Sequence, residues 1–312
     1  MISGIHHITA IASHGQNTVH FYSKILGLRL VKKTVNQDDP STYHLFFGDT
    51  QGNPGMDLTF FTFQPPMQGK RGNGLVTTIG LAVPKESLQF WKKRFEEHNV
   101  KHNQISERFE KQHLTFFDED DQQLELIGLS EAELENSQDI WTKEIRKDCA
   151  IQNFYSATLS IHDKRLVEPI LAEVFGYKQI DTEGNYTLYQ IPNKKRASVL
   201  EIKEDPNAEF GFNAAGTVHH IAFRAKNEKH QLELQQKVHE IGIQTTDVID
   251  RFYFKSVYFR TPAGILFEIA TDSPGFTADE KEKDLGKKIA LPPFLEQHRK
   301  EIEANLPQIK LE

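Results

Sequence analysis

Cysteine is nearly missing from this chain: Cys149 is the single one among 312 residues. That excludes an internal disulfide and any thiolate-rich metal site, and it suits a reducing compartment. The thiol follows Lys147-Asp148 at a junction with no motif around it, and reads as inert. Long apolar runs are missing too. No stretch approaches the roughly 20 residues of a membrane span, and the opening Met1-Ile2-Ser3-Gly4-Ile5-His6-His7 lacks the basic-then-apolar pattern of a secretory leader. A basic stripe is the third absence. The formal net charge is −7, Lys and Arg are scattered beside Glu and Asp, and the densest charged stretch, Asp279 to Lys288, mixes both signs. Nucleic acid and membranes are therefore not expected as partners, and the expected location is cytoplasmic. What remains is an ordinary globular composition, 38% hydrophobic and 26% charged, at a length that suggests about two domains.

An internal repeat organises the chain. Four times a β-patterned segment is followed by a helical segment and then by further β-patterned segments. The first copy has strands at Ile5–Ile11, Leu28–Asn36, Tyr43–Gly48 and Met56–Phe63, with a helix from Gln16 to Leu26. The second has Thr77–Val83, a helix at Leu88–His98, then His113–Phe117 and Gln123–Gly128. In the third, Asn153–His162 precedes a helix at Leu166–Phe175, then Tyr186–Ile191 and Ser198–Lys203. The fourth runs Val218–Ala225, helix Gln231–Ile241, Thr246–Asp250, Ser256–Arg260 and Ile265–Ala270. The strands alternate apolar with polar and favour β-branched and aromatic residues. A βαβββ unit cannot bury both faces of its sheet alone, so the expected fold is α+β, with four modules paired into two curled half-barrel domains. Expected units are 1–136 (modules one and two), 151–274 (modules three and four) and a tail, 275–312, with a helix from Pro293 to Ala304.

Comparing the copies isolates the residues that differ. The first strand of copy one reads Gly4-Ile5-His6-His7-Ile8-Thr9, and that of copy four reads Thr217-Val218-His219-His220-Ile221-Ala222. Copies two and three, at Thr78-Ile79-Gly80 and Ala157-Thr158-Leu159, carry no histidine there. The last strand of copy four holds Glu268 among bulky apolar residues, and a buried carboxylate needs a partner. Copy one has Thr59 at the matching place, a poor ligand. Two histidines and one carboxylate, His7, His220 and Glu268, form the facial triad that non-haem Fe(II) oxygenases use. The expected cofactor is Fe(II), with Mn(II) or another divalent metal as the alternative. A single histidine pair on a strand is more often structural; its recurrence beside a matching glutamate reverses that balance. Glu125 and Glu201 also lie in last strands, but without histidines, and read as polar-face or ion-pair residues, with a vestigial site as the alternative. His44, His113 and His239 read as ordinary surface or packing residues. Phe46, Phe60, Phe254 and Phe267 read equally as walls of a site or as core.

At these residues the chain resembles the vicinal oxygen chelate superfamily, built from βαβββ modules. Within it the sequence is similar to the hydroquinone-type ring-cleaving dioxygenases, including bacterial hydroquinone and chlorohydroquinone dioxygenases. The stretches that carry this are Gly4 to Thr9, Leu26-Gly27-Leu28 to Lys32, Tyr43-His44-Leu45-Phe46-Phe47, Val218-His219-His220, Tyr258 to Glu268, Leu285-Gly286 and Leu291-Pro292-Pro293-Phe294-Leu295-Glu296. The resemblance implies the same metal ligands, His7, His220 and Glu268, and supporting groups at His6, Thr9, His219, Arg251 and Tyr258. It also implies that modules one and four share the metal-bearing barrel, which the ligand distribution requires as well. The implied reaction is cleavage of a dihydroxylated aromatic by O2, so the expected partners are a small aromatic substrate and O2, with self-association left open. Two alternatives stand beside it: a glyoxalase-type isomerase, lyase or thiol transferase, and a non-catalytic resistance protein that sequesters an aromatic.

Overall fold

Alternation along the inner strands decides the architecture, because each of them offers one face to a core and the other to a concave surface. The structure is a computed structural model that describes residues 1–134 and 139–311; the expected unit boundary at residue 136 lies outside them. Module one supplies β1 (Ile5–Ile11), β2 (Arg29–Asn36), β3 (Asp39–Gly48) and β4 (Asp57–Thr62). Module two supplies β5 (Leu75–Pro84), β6 (Ser106–Arg108), β7 (Lys111–Phe117) and β8 (Gln123–Leu129). Module three supplies β9 (Asn153–Ile161), β10 (Lys178–Glu183), β11 (Tyr186–Gln190) and β12 (Val199–Glu204). Module four supplies β13 (Thr217–Ala225), β14 (Ile249–Asp250), β15 (Lys255–Arg260) and β16 (Leu266–Thr271).

These strands form two eight-stranded sheets. One runs β14-β15-β16-β13-β1-β4-β3-β2 and the other β10-β11-β12-β9-β5-β8-β7-β6. The first sheet therefore joins modules one and four, through an antiparallel β1–β13 seam. The second joins modules two and three through an antiparallel β5–β9 seam. In every module the first strand lies parallel to the last, and the outer strands add as antiparallel hairpins. The α+β fold of two curled half-barrels is thus as expected.

Side-chain alternation sorts the two faces of the first sheet. Leu45, Phe47, Leu58, Phe60, Ile221, Phe223, Phe267 and Ile269 sit in the main core. Phe46, Ala222 and Ala270, each one residue out of phase, belong to a separate cluster on the concave side. Short helices cover the core side. They are α1 (Gly15–Val19), continued by a π-helical turn at His20–Ile25, α2 (Leu88–Glu97) and α3 (Glu228–Glu240). Asn227 caps α3 by accepting from His230 N at 2.9 Å, and Leu234 and Val238 are its buried stripe.

Several expected elements differ from those observed. Module three has no α-helix, only a 3-10 turn at Lys164–Leu166 and a π-helical turn at Ile170–Phe175. The tail helix is a 3-10 turn, Pro293–His298, followed by α4 (Arg299–Asn305). Of Thr246–Asp250 only the last two residues pair as a strand. Before α4 the tail crosses β2: Ala290 N donates to Lys33 O at 2.9 Å. Gly286 makes the crossing at φ +74°, where a Cβ would stand 2.0 Å from Leu30 O. Among the described residues no helix is long and apolar enough to cross a membrane.

Candidate metal centre

Three side chains of the first sheet converge on its concave face. His7 comes from β1, His220 from β13 and Glu268 from β16, all buried. His7 Nε2 lies 3.2 Å from His220 Nε2 and 3.3 Å from Glu268 Oε2, and His220 Nε2 lies 3.0 Å from the same oxygen. The registers explain the convergence. β1 and β13 are neighbours, and β13 pairs with β16 so that Ala222 stands opposite Glu268. The three side chains therefore share one face at adjacent rungs.

The hydrogen bonds around this triangle prepare its atoms. Glu268 Oε1 accepts from Ser256 Oγ at 2.5 Å, while Oε2 is buried with no hydrogen bond. Burial pushes the Glu268 carboxyl up, but His7 and His220 outweigh it and hold the group well below the ordinary range, as a carboxylate. Burial lowers His220, against the pull of Glu268. Behind these candidate ligands stand the preceding histidines. His6 Nε2 is 3.1 Å from Thr271 O, and a carbonyl can only accept, so that nitrogen carries the proton. Burial lowers His6 far below its usual range, so the ring is neutral and its Nδ1 is an acceptor. His7 Nδ1, 2.9 Å away, must then donate, so that when Nε2 gives up its proton to a metal its lone pair is directed at the triangle. His219 stands in the same relation to His220, Nδ1 to Nδ1 at 2.8 Å, and burial holds it at about 3. An adjacent pair on a strand thus offers one candidate ligand and the group that orients it.

The remaining expected groups surround this set. Tyr258 on β15 lies opposite Glu268 in the register, its ring 5.8 Å from that of His220. Burial, with Glu268 nearby, raises its hydroxyl, which stays protonated. Arg251 lies over Tyr258, 5.4 Å from the ring centre. Its guanidinium makes a two-pronged pair with Asp38 at 2.9 and 2.8 Å, and Gln37 Nε2 donates to its carbonyl at 2.8 Å. The β2–β3 hairpin of module one is thereby fastened to module four at the cavity mouth. Thr9 lies deeper, accepting from Thr59 Oγ1 at 2.8 Å.

Sequence reasoning missed four groups. His44, read as ordinary packing, lines the same cavity as His7 and His220. It is 2.9 Å from Thr59 Oγ1 and packs on Phe46 and Phe61, with ring centres 3.9 and 4.4 Å apart. Strand pairing reveals the parallel: His44 pairs with Phe61, two residues past Thr59, as Ser256 pairs with Ala270, two past Glu268. Ser256 and Asp38 carried no signal of their own. Asp57 is buried beside His6 and His7 with neither oxygen hydrogen-bonded. Burial, then Asp49 and Glu268, push its carboxyl well above the usual carboxylate range. The four phenylalanines divide: Phe46 and Phe254 line the cavity, whereas Phe60 and Phe267 belong to the core.

Comparison with known proteins adds lineage to this geometry. The profile of the Glyoxalase/Bleomycin resistance protein/Dioxygenase superfamily matches residues 4–126 and 84–269. A protein of Bacillus subtilis strain 168, provisionally named ring-cleaving dioxygenase MhqO, is 42% identical over 97% of this chain and 95% of its own. The chlorohydroquinone/hydroquinone 1,2-dioxygenase of Sphingobium indicum is 33% identical over 95% and 93%. A crystal structure from Bacillus subtilis, provisionally titled a dioxygenase, superposes with a TM-score of 0.94 at 41% identity, covering 100% of this chain and 98% of that one. Glyoxalase I from Zea mays shares the fold alone, with a TM-score of 0.64 at 12% identity over 86% and 92%.

Proposed function

The chain belongs to the Glyoxalase/Bleomycin resistance protein/Dioxygenase superfamily, and on that premise we propose that it is a ring-cleaving dioxygenase holding one Fe(II) at His7, His220 and Glu268 and opening a hydroquinone or related dihydroxylated aromatic with O2. The observation that carries this reading is the triangle of donor atoms. With metal–ligand bonds of about 2.1 Å, neighbouring ligands on an octahedral ion stand about 3.0 Å apart and on a tetrahedral one about 3.4 Å. The edges here are 3.0, 3.2 and 3.3 Å. A buried carboxylate oxygen without a hydrogen bond and an imidazole lone pair aimed at the same point fit a divalent ion. The fourth position, which a glyoxalase-type ligand set would fill from module one, is Thr59, whose hydroxyl already bonds Thr9.

When bound, the ion supplies a template for the substrate oxygen and dioxygen and a path for electrons between them. The protein does the rest. His6 and His219 hold the ligand rings, and Ser256 holds Glu268 so that one oxygen stays free. One carboxylate against a divalent ion leaves a single surplus positive charge, which favours the substrate as a phenolate. Phe46, Phe61 and Phe254 wall the cavity and exclude water. The protonated Tyr258 hydroxyl donates to the substrate oxygen, and Arg251 stabilises negative charge that develops beside it. A para-hydroquinone offers only one oxygen to the ion, so its far hydroxyl needs such polar anchors in an otherwise apolar pocket.

An oxygen electrode tests this directly. The Fe(II)-loaded protein is expected to consume one O2 per ring cleaved, with higher kcat/KM on hydroquinone than on catechol. Metal is expected at one ion per chain, lost in His7→Ala, His220→Ala and Glu268→Ala. Tyr258→Phe is expected to keep the metal and lower kcat by 10–100-fold, the scale of one hydrogen bond made in the transition state (about 1.4–2.7 kcal/mol). Good turnover of catechol with none of hydroquinone overturns the substrate assignment. No O2 uptake together with isomerisation of a hemithioacetal replaces the reaction class.

A further inference from the structure

Modules two and three build a second concave face whose registers repeat those of the first. In the first sheet Thr59 stands opposite Thr9, two residues past His7, and Glu268 stands opposite Ala222, two past His220. In the second sheet Glu125 stands opposite Gly80 and Glu201 opposite Thr158. Thr78 and Ser156 therefore hold the places of the two histidines, and glutamates hold the places of Thr59 and Glu268. The neighbouring strand follows suit. Ser256 pairs with Ala270 and bonds Glu268; His113 pairs with Ile127 and lies 3.0 Å from Glu125 Oε2.

Glu125 and Glu201 are 5% and 1% exposed. Two carboxylates facing each other in a dry barrel require a cation between them. Arg108, at the end of β6, supplies it. Its Nη2 lies 2.8 Å from Glu125 Oε2, 2.8 Å from Glu201 Oε2 and 3.4 Å from His113 Nδ1. Nε donates to Glu201 Oε2 at 3.0 Å, and the guanidinium lies over the Tyr186 ring, 4.6 Å from its centre. One nitrogen atom thus occupies a point surrounded by two carboxylate oxygens and an imidazole nitrogen, donor types that suit a divalent ion but that stand wider apart than those of the first centre, which all lie within 4.8 Å of one another. Burial pushes Glu125 up, but His113 and Arg108 bring it down to about 2, whereas burial raises Glu201 despite Arg108. The guanidinium serves one carboxylate fully and the other in part.

We propose that the Arg108 guanidinium is the built-in cation of a second, closed centre, so that the chain takes one divalent ion rather than two, and that removing it opens a divalent-cation site made by Glu125, Glu201 and His113. This rests on His7, His220 and Glu268 being the site of the first ion. Metal bonds of about 2.1 Å are shorter than the contacts Arg108 makes, so the donors must draw in by about 1 Å. Of the donors, His113 stands on the β6–β7 hairpin at the edge of its sheet, and losing the long Arg108 side chain leaves room for the Glu125 and Glu201 side chains to close in.

Elemental analysis after dialysis against Mn(II) tests the inference on four full-length proteins. Wild type, Arg108→Ala, Glu268→Ala and the double variant are expected to hold one, two, zero and one ion per chain. Adding Glu201→Gln to the double variant is expected to remove its ion. Mn(II) is also expected to raise the melting temperature of Arg108→Ala by more than that of wild type or Arg108→Lys, in which a cation remains. An Arg108→Ala protein that holds only one ion overturns the inference and leaves the first site standing. A Glu268→Ala protein that keeps its ion overturns the first site instead, while the ion gained on removing Arg108 still decides this one. If Arg108→Ala accumulates only with Mn(II) supplied, the count is made on that protein. Failure to accumulate with and without the ion overturns the inference.

Discussion

His6 and His219 differ from ordinary buried histidines in what their neighbours demand of them. Each sits one residue before a candidate ligand and bonds its Nδ1, so the orienting group is encoded beside the group it orients. Removing such a partner typically costs 10–100-fold in metal affinity. His6→Ala is accordingly expected to keep the fold and to weaken Fe(II) or Mn(II) binding by that factor, read by competition with a chelator. Unchanged affinity would mean that His6 merely fills space. The candidate ligands stood out because the histidine pair occurs in two copies of a repeat and is absent from two. His44 and Asp57 did not. His44 is placed by cross-strand register, which only pairing reveals, and Asp57 is distinguished by the lack of partners around it.

Among the elements, the tail does the least predictable work. Lys32 on β2 is fully buried, and its ammonium donates to Asp279 Oδ1 at 2.7 Å, to Phe276 O at 3.1 Å and to Glu280. Tyr253 donates to the other oxygen of Asp279 at 2.8 Å. Phe276 packs against Phe46 and Tyr253, with ring centres 4.9 and 5.3 Å away. The charged stretch that reads as a solvated surface segment is, at its start, a clamp behind the wall of the cavity. Lys32→Met leaves two acids without their cation; because both keep some contact with water, a loss of about 2–3 kcal/mol is expected, below that of a fully buried pair. The checks are a melting point lower by roughly 5 °C and faster proteolysis within 276–285, with metal content unchanged. A melting point equal to that of wild type would remove the clamp. The strands missed from sequence, β6 and β10, share one physical cause. All six residues of β10 are exposed, and none of the three in β6 is buried, so neither has the alternation by which a half-buried strand is recognised. Both are edge strands.

For the whole molecule, acid is the revealing variable. The Glu125 carboxyl is held at about 2 in the folded chain, by hydrogen bonds that overcome burial, against an ordinary value of 4.5. A carboxyl depressed on folding contributes stability that is fully present above its unfolded value and is lost as pH falls through its folded one. Glu125→Gln is therefore expected to be less stable than wild type by about 3 kcal/mol at pH 7. The gap should narrow as pH falls from about 5 towards 2, as denaturant titrations at several pH values would measure; a gap independent of pH would detach the effect from ionisation. Two half-barrels were legible from four repeats, since one module cannot cover its own sheet. That the sheets are nested follows from the β1–β13 and β5–β9 seams. This nesting orders events during synthesis. The strands of the second sheet all lie between residues 75 and 204, so a ribosome releases that half-barrel whole while module four is still unmade. His7 must wait through a separation of 213 residues before His220 arrives, and Glu268 emerges later still. Pulse-labelled hydrogen exchange during refolding is expected to protect β5 to β12 before β1 and β13, because contacts closer in sequence close at lower entropic cost; the reverse order would reject this. A nascent chain, on this ordering, cannot complete the candidate metal centre until β16, the last of the described strands, has been translated.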